Sequence, residues 1–162
     1  MMATWLTPSG YEIEGLFRVS GSEQNTKLLF QNLLIGEEIN WEEQDPHDVA
    51  TAAKRLLRCT PESVFTESMY EDFVKIRDSE SAAVQLQEYL ERLPCYNRQL
   101  VYKMTVLFGK ISESKTSMMN IFQLSLCMTP NLGKRLAVTF PDVSRLFEVL
   151  VRYQTQIFDV CG

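Results

Sequence analysis

The chain has 162 residues, of which 45% are hydrophobic and 23% are charged. This length suits one domain and the composition is near the globular average, which disfavours a disordered, collagen-like or membrane-spanning chain. Lys and Arg number 16 against 21 Asp and Glu, a formal charge of −5. We therefore expect neither nucleic-acid binding through bulk positive charge nor direct membrane insertion.

Apolar residues recur at steps of three and four along most of the chain, which predicts amphipathic helices. Ser22, Asp48 and Ser117 have the side chains preferred at helix N-caps, and Pro130 is expected to stop a helix. The expected helices lie near residues 22–35, 48–58, 67–77, 80–92, 96–112, 117–128 and 141–158. The spacing favours an all-α fold, a single globular domain of about seven helices over residues 1–162.

The cysteines and the single histidine do not predict a metal site or a nucleophile. No two of Cys59, Cys95, Cys127 and Cys161 lie within 30 residues of each other, so no CxxC pair exists. Free thiols in a reducing cytoplasm are the simpler interpretation. His47 lies in a polar stretch, and any Cys–His or Ser–His scheme would have to use it.

The first segment that packing does not explain is 14–22, Glu-Gly-Leu-Phe-Arg-Val-Ser-Gly-Ser. Arg18 lies between Phe17 and Val19, which can anchor a loop in a core while the arginine projects outward. Gly21 permits the backbone to turn before the next helix. The alternative is an arginine in an ordinary surface salt bridge.

The second segment is a helix that carries Lys54 and Arg58 four residues apart. This spacing puts two cations on one face, at a cost of about a few tenths of a kcal/mol that a carboxylate or phosphate would offset. A solvated face is the alternative.

The third segment contains Asn120 in an otherwise apolar helix that runs into Pro130, Asn131 and Leu132. Asparagine is unfavourable inside helices, and its amide suits bridging to another backbone or loop. The alternative is an amide that satisfies a loop within the same fold.

In this order, the segments resemble the catalytic domain of Rho GTPase-activating proteins, the RhoGAP domain. Residues 14–21 match the family pattern Glu-Gly-(Ile/Leu)-Phe-Arg-x-Ser-Gly. The later matches are Val49-Ala50 with Lys54 and Arg58, then Leu93-Pro94 with Asn97, then Asn120 with Pro130-Asn131-Leu132. The resemblance covers about residues 11–150.

The resemblance implies a role for each matching residue. Arg18 is expected to be the arginine finger that a GTPase-activating domain supplies in trans. Lys54 and Arg58 are expected to hold the finger loop and contact the GTPase, and Asn120 to contact it near its switch regions. Structural support is expected from Gly21, Asn97, Pro130 and Asn131. The partner would be a Rho-family GTPase that brings GTP and Mg²⁺, so the domain needs no cofactor of its own.

The sequence also departs from the family pattern. Residues 59–64 replace Glu-Leu-Pro-Glu-Pro-Leu, residues 114–116 replace Asn-Lys-Met, and Thr129 replaces a glycine. Only residues 1–11 stand where the family has a fuller helix. Two alternatives therefore stay open: a RhoGAP-like module that binds a GTPase or another partner without accelerating hydrolysis, and a structural helical scaffold.

Overall fold

The computed structural model describes residues 10–61, 63–65, 72, 76, 81–132 and 140–158. These residues contain seven α-helices, one 3₁₀ turn and no strand, which confirms the all-α prediction. The helices are α1 (Glu23–Ile35), α2 (Pro46–Cys59), α3 (Ala82–Glu91), α4 (Cys95–Glu113), α5 (Ile121–Leu132), α6 (Phe140–Arg152) and α7 (Gln154–Phe158). The 3₁₀ turn is Trp41–Glu43.

The main core lies between helices α3 to α6. Leu86, Phe108, Leu124 and Phe147, one from each helix, are completely buried. The rings of Phe108 and Phe147 pack with their centroids 5.0 Å apart. Each such side chain contributes about 1.5–3 kcal/mol by leaving water. The apolar stripes read from the sequence therefore face this core.

A second, smaller core joins α1 to α2. Leu29 of α1 packs with Val49 and Ala52 of α2, and Phe30 and Trp41 flank them. Among the described helices, only α2 has an extensive contact with α1. Helix α1 is thus attached to the domain by one face.

Helices α1 and α2 each begin at a side-chain cap, a hydroxyl for α1 and a carboxylate for α2. Ser22 caps α1 as predicted, since its hydroxyl accepts from the backbone N–H of Asn25. The cap of α2 is Asp45, whose carboxylate accepts from the N–H groups of His47 and Asp48. The prediction that Asp48 is a cap is wrong because Pro46 already begins the helix, and Asp48 is buried in its first turn.

Helix α5 begins and ends later than predicted. Ser117 donates its hydroxyl to the carbonyl groups of Ile111 and Ser114, so it closes the end of α4 and does not cap α5. Pro130 does not stop the helix, because Asn131 and Leu132 are still helical. Proline lacks the N–H that would donate to the carbonyl of Leu126, so the helix continues past Pro130 with one backbone hydrogen bond fewer.

The helix predicted at 141–158 is divided at Tyr153 into α6 and α7. Its hydrogen bonds continue across the break, from Tyr153 to Val149 and from Ile157 to Tyr153. No proline or glycine marks this break in the sequence. The helix predicted at 67–77 lies almost entirely outside the described residues. Within the described residues, no helix is long and apolar enough to cross a bilayer.

Candidate functional site

The loop that carries Arg18 has a backbone conformation that favours glycine at position 15. Gly15 has a φ of +67° and its carbonyl group accepts hydrogen bonds from the N–H groups of Arg18 and Val19. A Cβ atom at Gly15 would lie 2.9 Å from the Cγ2 atom of Val19. The N–H of Gly15 donates to the carbonyl of Ser117 over 2.8 Å, which ties the loop to the segment before α5.

The side chains of this loop divide between the core and the surface. Leu16 and Phe17 are buried, and the ring of Phe17 meets that of Phe108 edge-on at 5.9 Å. Phe17 has a φ of +70°, an unusual value for a bulky residue. Two buried anchors on the N-terminal side of Arg18 leave its side chain exposed. The loop is therefore an anchored base on which Arg18 is exposed, and its Nη2 atom lies 3.2 Å from the position that a Cβ at Gly15 would take.

Lys54 fixes the same loop from α2. Its ammonium group donates to the carbonyl oxygen of Phe17 over 2.8 Å. Burial lowers the pKa of Lys54 from its ordinary 10.5, the thiol of Cys127 opposes that change and the charge of Arg58 adds to it. Burial likewise raises the pKa of Cys127 above 9.0, against the opposing effect of Lys54 and Arg18. Lys54 thus contacts the Arg18 loop, and its electrostatic interaction with Cys127 extends to α5.

Arg58 joins α2 to the end of α5. Its Nε and Nη2 atoms donate to the Oδ1 atom of Asn131 over 3.2 and 2.8 Å. The amide nitrogen of Asn131 in turn donates to the carbonyl of Cys127 over 2.9 Å, which fixes its orientation. Asn131 therefore aligns an otherwise exposed arginine one helical turn beyond Lys54.

Asn120 does not lie inside a helix, contrary to the prediction. It precedes α5, and its Oδ1 atom accepts from the N–H of Gln123 over 2.9 Å. The side chain of Gln123 accepts from the N–H of Asn120 over 3.0 Å. This reciprocal pair is a capping box. Asparagine, unfavourable within a helix, is favourable here because its side chain satisfies a free N–H group.

Gly21 allows a close approach between the Arg18 loop and α2. A Cβ atom there would lie 2.6 Å from the Cα atom of Asp48. The carboxylate of Asp48 accepts from the N–H of Ser22 over 2.6 Å and from the side chain of Asn25 over 3.1 Å. Thr51 accepts from the N–H of Gly21 over 3.1 Å. The small size of Gly21 thus positions the loop against α2.

Two further predicted residues, Asn97 and Pro130, lie on α4 and α5. Asn97 lies in the first turn of α4 and donates to the carbonyl oxygen of Val64 over 2.9 Å, so it holds the described part of the divergent segment 59–64. Pro130 is exposed near the end of α5. Neither residue has a described contact with Arg18 or Lys54.

The structure thus joins Lys54 to the backbone of the Arg18 loop and Arg58 to Asn131. Sequence reasoning missed three contributors, Asp48, Gln123 and Cys127. The pattern Asn-x-x-Gln was a usable signal for the capping box, whereas nothing in the sequence indicated that Asp48 would reach across to α1. Among the described residues, no group of His, Cys, Asp and Glu is arranged to hold a metal ion.

Comparisons with known proteins address the family directly. A family model described as the RhoGAP domain matches residues 1–135 of the chain. Rho GTPase-activating protein gacY of Dictyostelium discoideum is 35% identical over 80% of this chain and 19% of its own length. Bargin of Homo sapiens is 32% identical over 78% of this chain and 20% of its own length. The chain therefore spans about a fifth of the length of these two relatives.

The fold comparison agrees. The crystal structure of human Rho GTPase activating protein 15 superposes with a TM-score of 0.82, covering 92% of this chain and 77% of that chain at 23% sequence identity. This similarity concerns the fold alone. The family match and the identity to gacY confirm the resemblance predicted from the motifs, and the chain belongs to the RhoGAP domain family.

Proposed function

We propose that this domain binds GTP-loaded Rho-family GTPases in the cytoplasm and stimulates GTP hydrolysis by inserting Arg18 in trans. One observation carries the proposal: an exposed arginine lies on a loop whose backbone is bonded to Lys54 and Ser117 and whose residues Leu16 and Phe17 are buried. Membership of the RhoGAP family and the names of the relatives support it.

The chemistry requires a cation rather than a nucleophile. Water attacks the γ-phosphorus, the bond to the β–γ bridging oxygen breaks, and negative charge spreads over the phosphoryl oxygens in a loose transition state. A guanidinium group offers several planar donors to such oxygens and stays charged. An arginine supplied in trans is worth about 10³–10⁵ in rate, or about 4–7 kcal/mol. In this proposal GTP and Mg²⁺ belong to the GTPase, and the domain contributes no cofactor.

Exposed apolar side chains occur on the Arg18 loop, on the segment bonded to it and on α5. Val19 follows Arg18, Met118 follows the Ser117 that bonds to the loop, and Leu126 precedes Cys127 on α5. Phe122, one turn before Leu126, is exposed as well. A GTPase seated here would cover these groups and expel water, which strengthens the interaction of Arg18 with developing charge.

The neighbouring residues divide between support and contact. Lys54 and Asn131 use their polar groups within the domain, so we assign them to positioning. Arg58 remains exposed beside Asn131 and is proposed to contact the GTPase. The cap at α5 uses the Oδ1 atom of Asn120, and no hydrogen bond from its amide nitrogen occurs within the described residues. We propose that this nitrogen donates to the GTPase.

Single-turnover GTP hydrolysis by a panel of Rho-family GTPases tests the proposal. The parent protein should accelerate hydrolysis, and Arg18→Ala should reduce the acceleration by about three orders of magnitude or more. Complex formation with the GTP-loaded partner should be largely retained, because the finger acts on the transition state. Arg145→Ala removes an exposed arginine on α6 and serves as the matched control.

Two results would contradict the proposal. If Arg18→Ala were as active as the parent, Arg18 would not be the finger. If neither protein accelerated hydrolysis while GTP-dependent binding persisted, the domain would be a binding module, and the divergent segment 59–64 would be the first region to examine.

A further inference from the structure

The outward face of α1 carries apolar side chains that the domain does not cover. Ile35 is 72% exposed, Leu34 60% and Leu28 59%. The opposite face already packs against α2 through Leu29, and no other described helix has an extensive contact with α1. This face is therefore unpartnered within the described part of the chain, and solvating it is unfavourable.

The three residues have an arrangement that suits another helix. Leu28 and Ile35 are seven residues apart, which puts them on one line of the helix about 10 Å apart. Leu34 lies on the flank between that line and the buried face. A seven-residue spacing is the repeat with which two helices pack side by side. The patch is thus long enough for two successive turns of a partner helix.

The C-terminal end of this patch is acidic. Residues 37–48 contain six acidic residues and no Lys or Arg, while Lys27 is a cation directly before Leu28 at the other end. Glu37 and Glu38 directly follow the end of α1, and Glu42 and Glu43 lie in the 3₁₀ turn. All four glutamates are exposed. The charge next to the patch attracts a cationic partner and repels an anionic lipid surface.

We propose that Leu28, Leu34 and Ile35 with the adjoining glutamates form a docking surface for a basic amphipathic helix of a partner protein. The apolar face of that helix covers the three side chains, and its Lys or Arg residues face Glu37 and Glu38. This surface lies on α1, whereas the proposed GTPase surface is built on the finger loop, α2 and α5. The two surfaces share no residue.

The test uses the full chain and two labelled synthetic peptides of about 18 residues, with Leu at heptad positions and either Lys or Glu elsewhere. Fluorescence anisotropy should show binding of the Leu/Lys peptide and at least about tenfold weaker binding of the Leu/Glu peptide. The double variant Leu28→Ser/Ile35→Ser should weaken Leu/Lys binding by about tenfold or more. Glu37→Lys/Glu38→Lys should weaken it and reduce its salt dependence.

Tyr96→Ser is the matched control, since Tyr96 is 84% exposed on a different helix. It should bind the Leu/Lys peptide like the parent. Circular dichroism verifies that each variant is folded, which is expected for substitutions at exposed positions. Equal binding of both peptides, or Leu/Lys binding unchanged in the α1 variants, would overturn the proposal. Self-association of the parent that Leu28→Ser/Ile35→Ser abolishes would overturn it in favour of a second copy of this chain.

Discussion

The ammonium nitrogen of Lys54 lies 2.8 Å from the carbonyl oxygen of Phe17, the residue before Arg18. Phe17 has a positive φ of 70°, which costs a non-glycine residue about 1–2 kcal/mol. Its buried ring and the bond from Lys54 offset that cost. The Arg18 loop is therefore held in its conformation by contacts within the domain itself.

Replacing Lys54 with Met should loosen the loop without changing the Arg18 side chain itself. Loss of one partly buried hydrogen bond should lower the free energy of unfolding by about 1 kcal/mol. Amide hydrogen exchange of residues 15–19, followed by mass spectrometry, should accelerate, and GTPase stimulation should fall with it. Lys103→Met, on the exposed surface of α4, is the control. Unchanged exchange in Lys54→Met would show that the buried anchors alone fix the loop.

Cys127 should be the least reactive of the three described thiols. Cys59 and Cys95 are exposed, whereas burial raises the pKa of Cys127 above 9.0. Because the thiolate is the nucleophile, iodoacetamide should modify the two exposed cysteines first near neutral pH. Peptide mass mapping after brief treatment gives the order. Early modification of Cys127 would show that Lys54 and Arg18 outweigh its burial.

The same pKa shift predicts an effect of pH on stability. Between pH 9.0 and the higher pKa of Cys127 in the folded state, the unfolded chain loses the thiol proton while the folded chain keeps it. The free energy of unfolding therefore falls as pH rises through this interval. Cys127→Ala removes this contribution. Its unfolding free energy relative to the parent should therefore increase above pH 9.0 and stay constant below it. Urea titrations at several pH values measure the difference.

The sequence predicted the parts of this site that follow from local patterns. The glycine, aromatic and arginine order of residues 14–21 indicated an anchored loop, and the four-residue spacing of Lys54 and Arg58 indicated a shared face. It could not give the contacts made at long range. The partner of Arg58 is Asn131, 73 residues away, and that of Lys54 is a backbone carbonyl that has no sequence signature.

Errors arose where two local rules compete. Ser117 and Asn120 both have side chains suited to an N-cap, and the choice depends on what else each can reach. Ser117 donates to carbonyl groups at the end of α4, and Asn120 caps the start of α5. Asp48 similarly has a capping side chain but lies opposite the start of α1, so it serves that helix.

Gly21→Ala should destabilise the domain through a backbone collision. The added methyl would meet the backbone of Asp48, which cannot rotate away as a flexible side chain would. We expect a loss of about 1–3 kcal/mol in urea unfolding. Gly36→Ala is the control: it has a φ of +74° and open space around it, so only the conformational cost of about 1 kcal/mol applies. A smaller loss at Gly21 than at Gly36 would mean that α1 and α2 can separate without penalty.

The capping role and the proposed contact role of Asn120 can be separated by two substitutions. Asn120→Ala removes the cap of α5 and should cost about 1 kcal/mol, whereas Asn120→Ser keeps an oxygen for the N–H of Gln123 and should cost little. Serine cannot reach a GTPase as the longer amide can. If the amide donates to the partner, both variants should bind the GTP-loaded GTPase more weakly, although only alanine lowers stability. If binding follows stability and Asn120→Ser binds like the parent, Asn120 acts only as the cap that positions α5.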